Sequence, residues 1–288
     1  MIYNVLIAPF ADLDFMRRAL AGVIVLAFGV APVGVFLMLR RMSLMGDAMW
    51  HAILPGVAAA FLLSGLNRIA MTIGGLIAGL VVAVLSGVVA RSTQMKEDAS
   101  LAVFYLVSLA LGVSIVSAHG TSLDLLEILF GNIRTLDGSA LLVIAFNTTM
   151  SLAILAVIYR PLVIECVDPV FLSTMGRAGG VAHIAFLALV VINLISAYLA
   201  LGTLLAVGLM ILPAAIAKFW SRDISRMILI AVGSAIVSGY AGLVASVQTG
   251  VPAGPAIVLA AGAIYFLSLL FGSVGVLRSI APGRHLKA

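Results

Sequence analysis

The sequence predicts an all-α bundle that crosses a membrane about eight or nine times. Three observations carry this. First, 64% of the 288 residues are hydrophobic and 9% are charged, whereas a soluble domain holds about 25% charged residues. Second, the mean hydropathy of +1.27 is that of a chain whose solvent is mostly lipid. Third, apolar runs of about the 20 residues needed to cross hydrocarbon recur from end to end, separated by short polar breaks.

Taken in order, the runs are 19–39, 43–64, 69–90, 99–118, 139–159, 182–200, 203–219, 227–246 and 253–273. Arg17 and Arg18 precede the first, and Arg40 and Arg41 close it. Arg68 precedes the third and Arg91 follows it, while Arg160 ends the fifth. The faintest break lies at 200–203, between the sixth and seventh runs. Residues 121–135 are amphipathic and read as a short surface or re-entrant helix. The opening Met1-Ile-Tyr-Asn-Val-Leu-Ile-Ala-Pro-Phe10 has no basic region and is followed by Asp12 and Asp14. It reads as interfacial or as the start of the first span, not as a signal peptide. Residues 1–288 are expected to form one transmembrane domain.

Nine spans put the termini on opposite sides, and the Lys/Arg bias of the loops orients the chain. Arg40, Arg41, Arg91, Lys96, Arg160, Arg177, Lys218, Arg222, Arg226, Arg278, Arg284 and Lys287 fall on one side, and Arg17, Arg18, Arg68 and Arg134 on the other. The richer side is expected to be cytoplasmic, with the N-terminus outside. Basic residues scattered in this way are topology signals, so lipid rather than nucleic acid is the expected surroundings. The single cysteine, Cys166, excludes a disulfide framework and a thiolate metal cluster.

Asp47 and His51 stand four residues apart within the second run. On a helix that spacing shares one face. A carboxylate and an imidazole in hydrocarbon cost several kcal/mol unless they meet a partner, water or a ligand, which makes them functional by default. One oxygen and one nitrogen donor a turn apart suit a divalent transition metal. The competing reading is a buried Asp–His hydrogen bond that packs helices. Asp47 is read as the one carboxylate clearly buried in a span. Pro55 frees the carbonyl of His51, which puts a kink beside the pair. Pro213, Pro252 and Pro255 lie within or beside later spans.

Other candidates are weaker. Met38, Met42, Met45 and Met49 recur at helical spacing, a thioether stripe that suits cuprous copper or, more simply, fills apolar gaps. His119, Asp124 and Glu127 lie near the expected outer mouth, either to guide a cation or as solvated interface residues. His183 and His285 read as interfacial. Asn147 and Asn193, mid-span, read as hydrogen bonds between helices. Glycines such as Gly74, Gly75 and Gly79 let helices approach closely. No phosphate-binding Gly-x-x-x-x-Gly-Lys loop, nucleophile elbow or Cys/His cluster occurs, so the chain is expected not to be an enzyme.

Residues 160–181 join the fifth and sixth spans on the expected cytoplasmic side. Asp168 and Pro169 resemble an N-cap and first helical residue, and Gly176 or Gly179 suits a C-terminal stop. Val170, Phe171 and Met175 would give such a helix an apolar knob for a partner's groove, or a face to lie on the membrane.

Several segments resemble one family. Arg40-Arg-Met-Ser-Leu-Met-Gly-Asp-Ala-Met-Trp-His-Ala-Ile-Leu-Pro-Gly56 resembles the signature of zinc/manganese-type ABC transporter permeases. Leu125-Leu-Glu-Ile-Leu-Phe-Gly-Asn-Ile133, Ile211-Leu-Pro-Ala-Ala-Ile-Ala217 and Gly250-Val-Pro-Ala-Gly-Pro-Ala-Ile-Val258 resemble later segments of the same family, in order. The resemblance implies a homodimeric importer permease of the bacterial inner membrane, with a cytoplasmic ATP-binding subunit and an extracytoplasmic metal-binding protein. It implies that Asp47 and His51 line the metal path, and that the loop at about 161–181 carries a coupling helix, with Asp168, Pro169, Phe171, Met175 and Gly176 facing the ATPase. Trp50 departs from the family pattern, where a small residue is expected. No cofactor is expected to reside in the chain. The expected cargo is Zn²⁺, with Mn²⁺ or Fe²⁺ as alternatives, and ATP is used by the partner. An ion-coupled secondary transporter is the rival of another class. It calls for more buried carboxylates than are read here. A membrane scaffold without transport is the third reading.

Overall fold

The computed structural model describes residues 8–42, 45–65, 67–93, 97–118, 136–167 and 178–275. These residues form ten helices: α1 (Ala8–Asp12), α2 (Asp14–Leu39), α3 (Met45–Ser64), α4 (Arg68–Ser92), α5 (Glu97–Ala118), α6 (Gly138–Val167), α7 (Ala178–Leu201), α8 (Thr203–Trp220), α9 (Ile224–Thr249) and α10 (Ala253–Phe271). No strand occurs among them. Each of the nine apolar runs reappears as one of α2–α10. Eight of these are long and apolar enough to cross a membrane, and α8 is the shorter apolar one.

Helix α2 is the axis of the bundle. It is apolar all round from Ala19 onwards; Ala19, Val23, Leu26, Ala27 and Val30 are fully buried, and over 29–37 every residue is enclosed, while Phe28 stays exposed. It packs against α6, α7, α8 and α9, while α3, α4 and α5 pack together beside it. Helices α8, α9 and α10 form a second such trio. The outer face of α4 is a stripe of Ile69, Ile73, Ile77, Val81, Leu85 and Val88, all exposed. A helix that turns its aliphatic stripe outwards has lipid as its solvent.

Lipid tails are as apolar as leucine, so helices here gain their association from close contact and polar bonds rather than from a hydrophobic drive. Backbones approach closely at glycines. A Cβ added to Gly34 of α2 would lie 1.8 Å from the Met210 carbonyl oxygen of α8. One added to Gly74 of α4 would lie 2.4 Å from the Gly56 oxygen of α3. Polar bonds are supplied by the two mid-span asparagines, as expected. Asn147 donates to Ser196 Oγ (2.8 Å), and Asn193 to Ser151 Oγ (2.6 Å), tying α6 to α7.

The faint break at 200–203 is a single residue, Gly202, with φ 89° and ψ 172°. That conformation is open only to glycine, which lets α8 begin at once. Two expectations are corrected. The fifth span does not stop at Arg160 but continues through Pro161 to Val167. One hydrogen bond lost at proline does not end a helix whose Ile158 and Leu162 are locked in the core. The connection to α7 therefore narrows to 168–177. Pro252 and Pro255 free no mid-span carbonyl, because they are the N-cap and third residue of α10, where the N–H has no intrahelical acceptor.

Gly34→Ala and Gly74→Ala are each expected to destabilise the purified protein by about 1–3 kcal/mol, the usual cost of overpacking. Gly233→Ala, with open space around its Cβ position, is expected to leave thermal unfolding in detergent unchanged.

Candidate metal path

The turn after α2 aims α3. Arg41 and Met42 donate their N–H groups to the carbonyls of Met38 and Leu37, a Schellman closure in which Arg41, at φ 61°, takes the position usually held by glycine. Helix α3 then starts at Met45, which puts Asp47 in its first turn and His51 in its second. The unbonded N–H groups of that first turn favour a carboxylate there. The pair stands at the end of α3 next to the α2 turn, not at mid-depth.

One face of α3 is sealed against the bundle. Met45, Gly46, Ala48, Met49, Ala52 and Ile53 are buried, and Gly46 lies beside Val207, Met210 and Ile211 of α8. The methionine stripe is part of this packing. Met42, Met45 and Met49 are at most 4% exposed, so they fill the core and line no path.

The other face carries the candidate site. The structure corrects the expectation that Asp47 is buried: within its own chain it is exposed, and His51 is half-buried. The His51 ring stacks on Tyr105 of α5, with centroids 5.9 Å apart and planes at 30°. Trp50 leans on Tyr198 of α7 at 4.8 Å. Its bulk packs towards a different helix from His51. Neither tyrosine carries a sequence signal, since each is one aromatic in an apolar run. Among the described residues no cluster of three or more His, Cys, Asp or Glu side chains could hold a metal ion. One chain thus offers an oxygen and a nitrogen donor on an open face, half of a four-ligand set.

A second polar constellation lies at the same end of the bundle, and there the reading of His183 as interfacial fails. His183 of α7 is 2% exposed. The Arg40 guanidinium, at the end of α2, donates through Nη2 to Glu165 Oε1 of α6 (2.8 Å) and to His183 Nδ1 (2.5 Å). An arginine can only donate, so the ring accepts at Nδ1. The guanidinium sits 4.9 Å from the Phe186 ring centre. Among the described residues the most enclosed carboxylate near a span end is therefore Glu165, paired with arginine, and not Asp47. The coupling residues Asp168, Pro169, Phe171, Met175 and Gly176, and the outer-mouth residues His119, Asp124 and Glu127, lie outside the described residues.

The model of the ABC 3 transport family matches residues 12–272. The chain belongs to this family. It is 30% identical over 276 residues to the manganese transport system membrane protein MntC of Halalkalibacterium halodurans, covering 95% of this chain and 93% of that one. It is 27% identical over 284 residues to the chelated iron transport system membrane protein YfeD of Yersinia pestis, covering 98% and 94%. Its fold matches a chain of the solved structure of PsaBC from Streptococcus pneumoniae in complex with Fab, with a TM-score of 0.80 and 29% identity over 95% of this chain and 97% of that one. As an ABC 3 permease the chain is a multi-pass protein of the bacterial inner membrane and not itself an enzyme. An ABC importer permease implies an ATP-binding subunit and a substrate-binding protein as partners.

Aromatic stacking contributes about 0.5–1.5 kcal/mol, enough to hold the His51 ring in one orientation. Tyr105→Ala is expected to lower transport by the assembled complex by about two- to tenfold on that energy, while Tyr105→Phe keeps it near normal.

Proposed function

We propose that this permease passes a divalent transition metal across the inner membrane, with Asp47 and His51 as the ligands that hand the ion through. The carrying observation is the open face of α3. A carboxylate in the first turn of an apolar span, not covered by its own chain, must be covered by something polar in a membrane. A second copy of the chain supplies that cover. Two chains about a twofold axis would set two carboxylates and two imidazoles around one passage, a full set for a tetrahedral or slightly larger coordination sphere.

Manganese is the first choice of cargo. The similar proteins bear manganese and chelated iron in their names rather than the zinc expected from the motif. Mixed oxygen and nitrogen donors without thiolate accept manganese and ferrous iron as well as zinc, and selectivity between them is seldom set by raw affinity. Import is driven by the ATP-binding subunit, which acts on the 168–177 connection through Asp168, Pro169, Phe171, Met175 and Gly176. The metal-binding protein delivers the ion to the outer mouth near His119, Asp124 and Glu127.

The complex reconstituted in liposomes with its ATPase and binding protein is expected to take up Mn²⁺ only with ATP. Asp47→Ala and His51→Ala should each cut that uptake at least about tenfold, the loss expected when one partner of a ligand pair is removed, with assembly intact. Near-normal uptake in both variants would refute the assignment. In competition, excess Zn²⁺ that abolished Mn²⁺ delivery and was itself carried would return zinc to first place.

A further inference from the structure

We propose that Arg40, Glu165 and His183 are positioning residues that form a joint, carrying displacement of the α6 and α7 ends to the metal-bearing helix α3. The inference rests on the reading of the chain as an ATP-driven permease. Its evidence is a place in the fold that the path residues do not share. Glu165 stands in the last turn of α6 and His183 in the second turn of α7, the two helices joined through 168–177. Arg40 caps α2 and starts the turn from which α3 is aimed. One guanidinium therefore grips three helix ends at 2.8 and 2.5 Å, seven residues ahead of Asp47.

The cluster is a poor device for stability alone. Burying an ion pair commonly gives no net gain over apolar packing. Here the Arg40 side chain is 6% exposed and that of Glu165 11%, and Arg40 Nη1 finds no hydrogen-bond partner among the described residues. A buried network left partly satisfied is worse than an apolar contact of the same shape. What it does supply is registry. Through its bonds to Glu165 and His183 the Arg40 guanidinium couples the ends of α2, α6 and α7, so that they shift together. The aromatic backing of Phe186, itself edge-on to Phe36 at 6.4 Å, keeps water from dissolving the grip. Gly87 of α4 lets that helix come close to the imidazole, since a Cβ there would lie 3.3 Å from His183 Nε2. The joint thus also touches the α3–α4–α5 trio.

The test uses the whole complex in liposomes and reads ATP hydrolysed per Mn²⁺ delivered, with thermal stability measured in parallel. Arg40→Met and Glu165→Gln are expected to raise that ratio at least fivefold while hydrolysis continues. The exchanged pair Arg40→Glu with Glu165→Arg should recover a large part of the coupling. Arg40→Lys and His183→Gln keep the site polar and filled, and should uncouple more mildly even if the neutral variants fail to assemble. An unchanged ratio in the two mild variants overturns the joint, as does a loss of stability with uptake and hydrolysis falling in step. Normal transport by Asp47→Ala beside an uncoupled Arg40→Lys would sink the path assignment and leave the joint standing.

Discussion

A charge in hydrocarbon must be answered, and the arrangement of this chain follows from how its charges are answered. Two solutions coexist at one end of the bundle. Arg40 and Glu165 answer each other inside one chain, sealed by His183 and Phe186. Asp47 is exposed within its own chain and has no partner among the described residues, although its helix is otherwise apolar and packed on one side. The closed pair suits a fixture and the open carboxylate suits something that comes and goes. The two solutions are separated by one short turn, closed by backbone bonds from Arg41 and Met42.

The glycine contacts explain why such a turn can act at a distance. With no hydrophobic drive between helices in lipid, rigidity comes from backbone touching backbone, as at Gly34 against Met210 and Gly74 against Gly56. Helices locked at those points do not yield smoothly. They move as units, and the compliant places are the turns between them. Helix α3 is fixed to α4 by its Gly56 contact and begins just after the turn that Arg40 opens, so its first two turns, with Asp47 and His51, are the part that a shift of Arg40 reaches first.

Much of this fold was legible in the sequence, for a plain reason. A span is a local property: about 20 apolar residues between polar breaks need no partner to be recognised, and α2–α10 lie close to the runs that announce them. The i, i+4 spacing of Asp47 and His51 is equally local. What escaped was whatever depends on residues far apart in the chain. Arg40 meets Glu165 across 125 positions and His183 across 143, so from the sequence Arg40 read only as a topology signal and His183 as interfacial. Tyr105 was invisible for the same reason, because only the fold sets its ring on His51. The early stop at Arg160 came from taking that charge as a polar break, when the helix runs on through Pro161 because packing of Ile158 and Leu162 outweighs one missing bond.

The exposure of Asp47 also bears on the choice between transport classes. A secondary transporter needs carboxylates that gain and lose a proton inside the protein. Among the described residues the carboxylate most enclosed in a span, Glu165, is paired with Arg40, and Asp47 faces outwards from its own chain. Neither acid is placed to couple an ion gradient to a conformational cycle. On the proposed reading the energy enters from the ATP-binding subunit, at the end where α6 and α7 are joined through 168–177. That is the end that Arg40 ties to α3.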